Sequence, residues 1–255
     1  MAYSHLIGSA RKPTSEGQRQ PVDTKTRHAL KKDKFAQAAA SGASWISGHR
    51  AGFMRWVVAA VVIVVLLVAA LVYWSVRSSA AALALGAAVD VYDTPLAQPG
   101  APPEADSYST SAARAKEANR QFIAVAHDFG WLPEGAQARY FAGVTYEELG
   151  DNGNAEVELK SAAGSWNHNL SNLAKLALAG LYQQTKRDGE AVDLYNQIVA
   201  KPSATVSAGV AQLDLADLYA SEGKQDQARA LWAKVKDSDK DGVAGSIAAQ
   251  KLAAK

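Results

Sequence analysis

Residues 56–74 read WVVAAVVIVVLLVAALVYW, nineteen consecutive uncharged and almost wholly apolar side chains between Arg55 and Arg77. At helical rise such a run is about 28 Å long, close to the ~30 Å hydrocarbon thickness of a bilayer. Trp56, Tyr73 and Trp74 stand where aromatic side chains meet the membrane surface. The core helix of a soluble domain would carry a polar stripe, and this run has none around its circumference. A cleaved signal peptide would find small residues at Ser79-Ala80-Ala81-Ala82, but its leading region would have to be 55 residues long. The apolar run also exceeds the usual ~7–15 residues of a signal core. A retained signal anchor is therefore expected.

Charge gives the direction of insertion. Up to residue 55 the chain has ten Lys+Arg and three Asp+Glu, and beyond it seventeen and twenty-two, so the two parts carry +7 and −5. Arg50 and Arg55 adjoin the apolar run, Lys31, Lys32 and Lys34 lie a little further back, and only Arg77 follows closely. Cationic flanks stay in the cytoplasm, which places the amino terminus there. No GxxxG interrupts the run, and Ala59-Ala60 and Ala69-Ala70 mark no specific dimer face. Residues 1–23, with Gly8, Pro13, Gly17 and Pro21 among polar residues, read as a disordered cytoplasmic tail. Residues 24–52 form a basic juxtamembrane segment. Phe35, Ala39, Gly42 and Ile46 share one helical face, so an amphipathic helix on the inner leaflet is expected. The membrane accounts for the basic charge, and no nucleic-acid partner is expected.

The transmembrane helix is set at 53–76 and a second, alanine-rich helix at 77–92. Residues 93–109, with Pro95, Pro99, Gly100, Pro102 and Pro103, form a proline-rich linker, and the folded domain is expected over 110–255. That part repeats itself. Ala118, Ala155, Ala191 and Ala228 are spaced by 37, 36 and 37 residues, and four residues after each comes Phe122, Leu159, Tyr195 or Trp232. Tyr146, Tyr182 and Tyr219 form a further column at the same period, each ahead of a turn. Gly150, Gly153, Gly189 and Gly223 supply permissive backbone in those turns. Each unit is thus helix, short turn, helix. The small residue lets two helices approach, and the large ones fill the space to the next unit.

These columns resemble the tetratricopeptide repeat. AGVTYEELGDNGNAEVEL carries Gly143, Tyr146, Gly150, Ala155 and Leu159 at matching positions. ALAGLYQQTKRDGEAVDLY carries Ala179, Tyr182, Ala191 and Tyr195, and LDLADLYASEGKQDQARALW carries Ala216, Tyr219, Gly223, Ala228 and Trp232. Three full repeats follow a half repeat that keeps Ala118 and Phe122 but whose first helix would fall in the proline-rich linker, and a last helix from residue 242 to 254 would cap the open end. The expected fold class is all-α: one amino-terminal transmembrane helix followed by a tetratricopeptide helix-turn-helix solenoid. The order of basic arm with LKKDKF, signal anchor, alanine-rich helix and repeat array is similar to the ancillary subunit family of the bacterial Sec translocon. That resemblance implies an inner-membrane location, a periplasmic repeat domain and no catalysis. It also implies protein partners, namely translocon subunits, periplasmic chaperones and exported clients. A structural scaffold for an envelope complex, in outer-membrane assembly or in cell-wall synthesis and division, is the alternative.

In the tetratricopeptide family the first helices of successive repeats line a concave groove. Helical spacing here puts Tyr140, Val144, Leu173, Leu176, Val210 and Leu213 on that side, edged by Gln137, Glu147, Gln183 and Asp217. Such a groove is apolar with a negative rim, suited to an apolar protein segment rather than an anion, the alternative being that Leu176 and Val210 are simply buried between repeats. The lysine and asparagine clamp that holds carboxylate termini in some cochaperone relatives is not reproduced.

Other chemistry is weakly represented. With no cysteine in the chain, disulfides, thiolate nucleophiles and Cys-based metal sites are excluded. Asp237, Asp239 and Asp241 before Gly242 open like a calcium loop, but Ala248 stands where the bidentate carboxylate belongs, so the run reads as a solvated turn. The five histidines show no ligand spacing, and GxSxG, HExxH and phosphate-loop motifs are absent. No catalytic residue, cofactor, metal or small-molecule substrate is expected.

Overall fold

A computed structural model describes residues 50–97 and 107–254. The expected tail 1–23, nearly all of the basic segment 24–52 and the middle of the linker, 98–106, lie outside the described residues. The chain divides into two units, Met1–Ala69 and Ala70–Lys255. Among the described residues every regular element is a helix: α1 (Arg50–Asp93), α2 (Ser111–Asp128), α3 (Pro133–Glu148), α4 (Asn152–Ala163), α5 (His168–Gln184), α6 (Asp188–Ala200), α7 (Ala208–Ser221), α8 (Gln225–Ser238) and α9 (Val243–Ala253). These residues are all-α, a long apolar helix followed by a solenoid of helix-turn-helix units.

In the first unit the described residues belong to α1, and the side chains of Met54, Trp56 and residues 57–68 are exposed. Valine, leucine and isoleucine around a whole helix leave it no face to hide from water. From Met54 to Asp93 this is one helix long and apolar enough to cross a membrane.

In the second unit the repeats stack as the residue columns require. α3 pairs with α4, α5 with α6, and α7 with α8, while α9 closes the end. Gly143, Ala179 and Ala216 on the first helices and Ala155, Ala191 and Ala228 on the second are buried at the close approaches. Phe122, Leu159, Tyr195 and Trp232 fill the spaces beside them, with Ala118 buried on α2. Tyr182 is buried as well, whereas Tyr146 and Tyr219 are half-buried. One more buried column, Val125, Ala162, Ile198 and Val235, lies three residues beyond the large one. One helical turn explains it, since residues three apart share a face.

The start of the array corrects the expected boundary at residue 110. The part of α1 within the second unit buries Ala81, Leu85 and Ala88 against Ala118, Phe122, Val125 and Ala142. Their spacing of four and three makes one helical stripe. The alanine-rich stretch is therefore the first helix of the first repeat, and it is continuous with the apolar run rather than a separate helix over 77–92. The proline-rich segment lies inside that repeat, between its two helices. Its described ends are tied together, Ala97 N–H donating to Tyr108 O at 2.8 Å and Tyr108 N–H to Pro95 O at 3.3 Å.

Capping explains where the helices begin. Thr110, Asp151, Asn167 and Ser207 accept bonds from backbone N–H groups of the first turns of α2, α4, α5 and α7. The turns within repeats need a left-handed residue at one shared position, and it is Gly150 (φ 75°), Lys186 (φ 60°) and Gly223 (φ 78°). Gly153 and Gly189, expected to serve this role, instead lie in the first turns of α4 and α6. The middle repeat thus places a lysine where the others use glycine. Asp239, in the run that opens like a calcium loop, uses its carboxylate as a helix cap, accepting Gly245 N–H at 3.2 Å. Among the described residues no three His, Asp or Glu come together in a way that could hold a metal ion.

Candidate protein-binding groove

The first helices α3, α5 and α7 supply the candidate groove. Tyr140, Val144, Leu173 and Leu176 are half-buried on α3 and α5, and Val210 is 37% exposed at the start of α7. Leu213 departs from this set. It is only 7% exposed, packed with Ala216, Trp232, Val235, Ala244 and Ala248 at the capped end. There α9 covers apolar surface of α7 and α8 through Ala244 and Ala248.

Tyr140 and Leu173 share a cleft of about 220 Å³ with Gln137, Phe141, Leu170 and Thr205. Its aromatic wall is anchored in the core, because Phe141 stacks on Phe122 at 5.1 Å and meets Tyr140 edge-on at 5.3 Å. Behind this wall Asn119 Nδ2 donates to Ala142 O at 3.1 Å and to Thr145 Oγ1 at 3.0 Å, both buried. A satisfied buried amide holds α2 and α3 in one register. The cleft therefore has an anchored aromatic wall on one side and the aliphatic Leu170 and Leu173 on the other.

The titratable side chains that edge the groove are carboxylates. Burial holds the Glu147 carboxyl above its usual range, the bond from Gln184 opposes this, and neighbouring Glu148 adds to it. Burial likewise raises Asp214, with Asp217 adding to the shift and Lys251 opposing it. Asp217 is better supported, accepting from Lys251 Nζ at 2.7 Å and from Trp232 Nε1 at 3.2 Å. The Tyr195 hydroxyl accepts from Gln183 Nε2 at 2.5 Å, and burial followed by the Asp214 carboxylate pushes this phenol up. A cation brought to Glu147 or Asp214 would relieve the cost of keeping them ionised. The arrangement can hold an apolar segment that also carries basic side chains, and it offers no nucleophile paired with a base.

Asp214 was not singled out from the sequence, although a signal exists. Phe141, Ala177 and Asp214 recur at the repeat period one position after Tyr140, Leu176 and Leu213. A wider stripe on each first helix would have included them.

No protein-family model matches the chain. No curated protein matches it significantly. Among solved structures, the nearly identical TPR-like repeats of a kinesin-light-chain-like protein from Podosopora anserina align with it at 18% identity and a TM-score of 0.47, covering 55% of this chain and 76% of that one.

Proposed function

We propose that this protein is a non-catalytic, membrane-anchored adaptor whose repeat domain binds other proteins through its concave face. The apolar run of α1 crosses the membrane once, with the basic amino terminus in the cytoplasm and the repeat domain on the far side. The observation that carries the binding role is the row of half-exposed Tyr140, Val144, Leu173, Leu176 and Val210, with the half-buried carboxylates of Glu147 and Asp214 on the same first helices. Such a surface suits an extended or helical apolar segment bearing lysine or arginine.

The order of basic arm, signal anchor and repeats supports a finer reading, in which the protein sits in a bacterial inner membrane. There its periplasmic domain assists exported proteins beside the Sec translocon, in company with periplasmic chaperones. The test is quantitative mass spectrometry of proteins crosslinked to and purified with the full-length chain, compared with the double variant Leu173→Glu, Leu176→Glu. Both side chains are half-buried, so circular dichroism accompanies the comparison. Loss of many exported proteins and of translocon subunits from a folded variant is expected. Loss of one dominant envelope protein would indicate the scaffold role instead, and an unchanged set of partners would refute the groove.

A further inference from the structure

The edge of the solenoid formed by the loops between repeats carries two outward-facing tryptophans at equivalent positions. Trp131 precedes α3 by two residues and Trp166 precedes α5 by two, and they are 52% and 83% exposed. Both are held outward by ordered backbone. Phe129 and Leu132 on either side of Trp131 are buried, and Leu132 N–H donates to Phe129 O at 2.8 Å. Beside Trp166, Ser165 N–H donates to Ala162 O at 3.0 Å, and Asn167 caps α5. A loop that spends a tryptophan on solvent at two successive repeats calls for an occupant.

The neighbours of Trp131 identify that occupant. Its ring stacks on Tyr73 at 6.3 Å with an interplanar angle of 4°, and meets Trp74 edge-on at 5.2 Å. Tyr73 and Trp74 are the last residues of the apolar run, the level at which a spanning helix leaves the hydrocarbon. Arg77, one turn on, donates from Nη2 to Asp128 O at 2.9 Å and lies 4.6 Å over the Phe129 ring. This fixes the loop before α3 beside the end of the run. The first helices of the repeats run in one direction, so the loop before α5 lies on the same edge. On the next loop Lys201 is exposed.

We infer that this edge docks on the bilayer that the chain's own helix crosses, with Trp131 and Trp166 seated among the lipid headgroups. The inference rests on the membrane anchoring proposed above. Indole rings favour this depth because an apolar body and a polar N–H are both satisfied there, at about 5–10 Å burial. Docking turns the turns within repeats away from the membrane, since they occupy the opposite edge.

The absence of cysteine makes the test direct. Single variants Val64→Cys, Gly164→Cys and Lys224→Cys of the full-length chain carry a nitroxide in phosphatidylethanolamine–phosphatidylglycerol vesicles, at low protein-to-lipid ratio. Collision with oxygen and with a water-soluble nickel chelate reports depth. The label at 64 is expected in hydrocarbon, the label at 224 in water, and the label at 164 at the interface, with nickel collision severalfold lower than at 224. Adding Trp166→Ser moves the label at 164 toward the aqueous value. An aqueous label at 164 with 64 in hydrocarbon overturns the docking and leaves the anchor standing. An aqueous label at 64 overturns the anchor. A label at 164 shielded from both oxygen and nickel signals a protein contact and overturns the lipid assignment.

Discussion

Gly143 separates close packing from mere resemblance to a repeat pattern. It occupies the position held by Ala179 and Ala216 in the other repeats, yet a Cβ there would lie 2.6 Å from Leu159 Cγ and 2.8 Å from Cδ2. Leu159 is fully buried and cannot swing away. Gly143→Ala therefore combines two opposed effects: about 1 kcal/mol gained from helix propensity, and ~1–3 kcal/mol lost to overpacking. The net is a loss of up to about 2 kcal/mol, and the sign depends on Leu159. Leu159→Ala alone costs about 2–5 kcal/mol by leaving a cavity. In that background both side-chain clashes are gone and the backbone N of residue 159 is left at 3.2 Å, so the substitution at 143 should be neutral or stabilise by up to ~1 kcal/mol. The coupling between the two sites is then about 1–3 kcal/mol. Thermal unfolding of the four proteins followed by far-ultraviolet circular dichroism reads this as ~2–4 °C per kcal/mol. Additive effects, with coupling below about 0.5 kcal/mol, would refute the close approach of α3 to α4.

The other predictions address the turns, the ion pairs and the start of the array. Lys186→Gly should stabilise by about 0.5–1 kcal/mol, because relief of a left-handed lysine (~1–2 kcal/mol) exceeds the added entropy of glycine. Gly150→Lys should do the reverse, and unfolding midpoints compare the two. Glu156 accepts two bonds from Arg187, at 2.6 and 3.1 Å, and pairs with Lys160 at 2.6 Å. Arg187 first, then Lys160, lowers its carboxyl to about 2. A depressed folded value means stability present above the unfolded range near pH 4.5 and lost as pH falls toward 2. Acid titration should show this loss, and Glu156→Gln should flatten it. Leu85→Ala should lower the unfolding midpoint of the repeat domain through a cost of about 2–5 kcal/mol, although Leu85 precedes the proline-rich segment. An unchanged midpoint would remove α1 from the array.

The repeats were legible because their signals are small, periodic and independent of partners. Ala155, Ala191 and Ala228 must be small at each close approach, and no other residue type recurs there. The first repeat was obscured by composition. Ala81, Leu85 and Ala88 are mostly alanine, which gives little amphipathic contrast, and Pro95 to Pro103 read as a domain boundary rather than a long intra-repeat connection. Lys186 was invisible because left-handed backbone is normally announced by glycine, and the nearby Gly189 offered a more obvious candidate. Leu213 matched its column, but a column cannot report that a cap covers the final repeat. Trp131 and Trp166 stood outside the repeat columns, and only the contacts of Tyr73 and Trp74 gave them a shared meaning.

The central claim is that the half-exposed row on α3 and α5 receives other proteins. A photoreactive amino acid at Leu176 in the intact membrane protein, with Lys224 at an exposed turn as control, tests it most directly. Adducts with exported proteins and translocon subunits, concentrated at 176 and absent at 224, are predicted. Adducts at 176 no more abundant than at 224 would contradict the claim and reduce this face to interior packing between repeats.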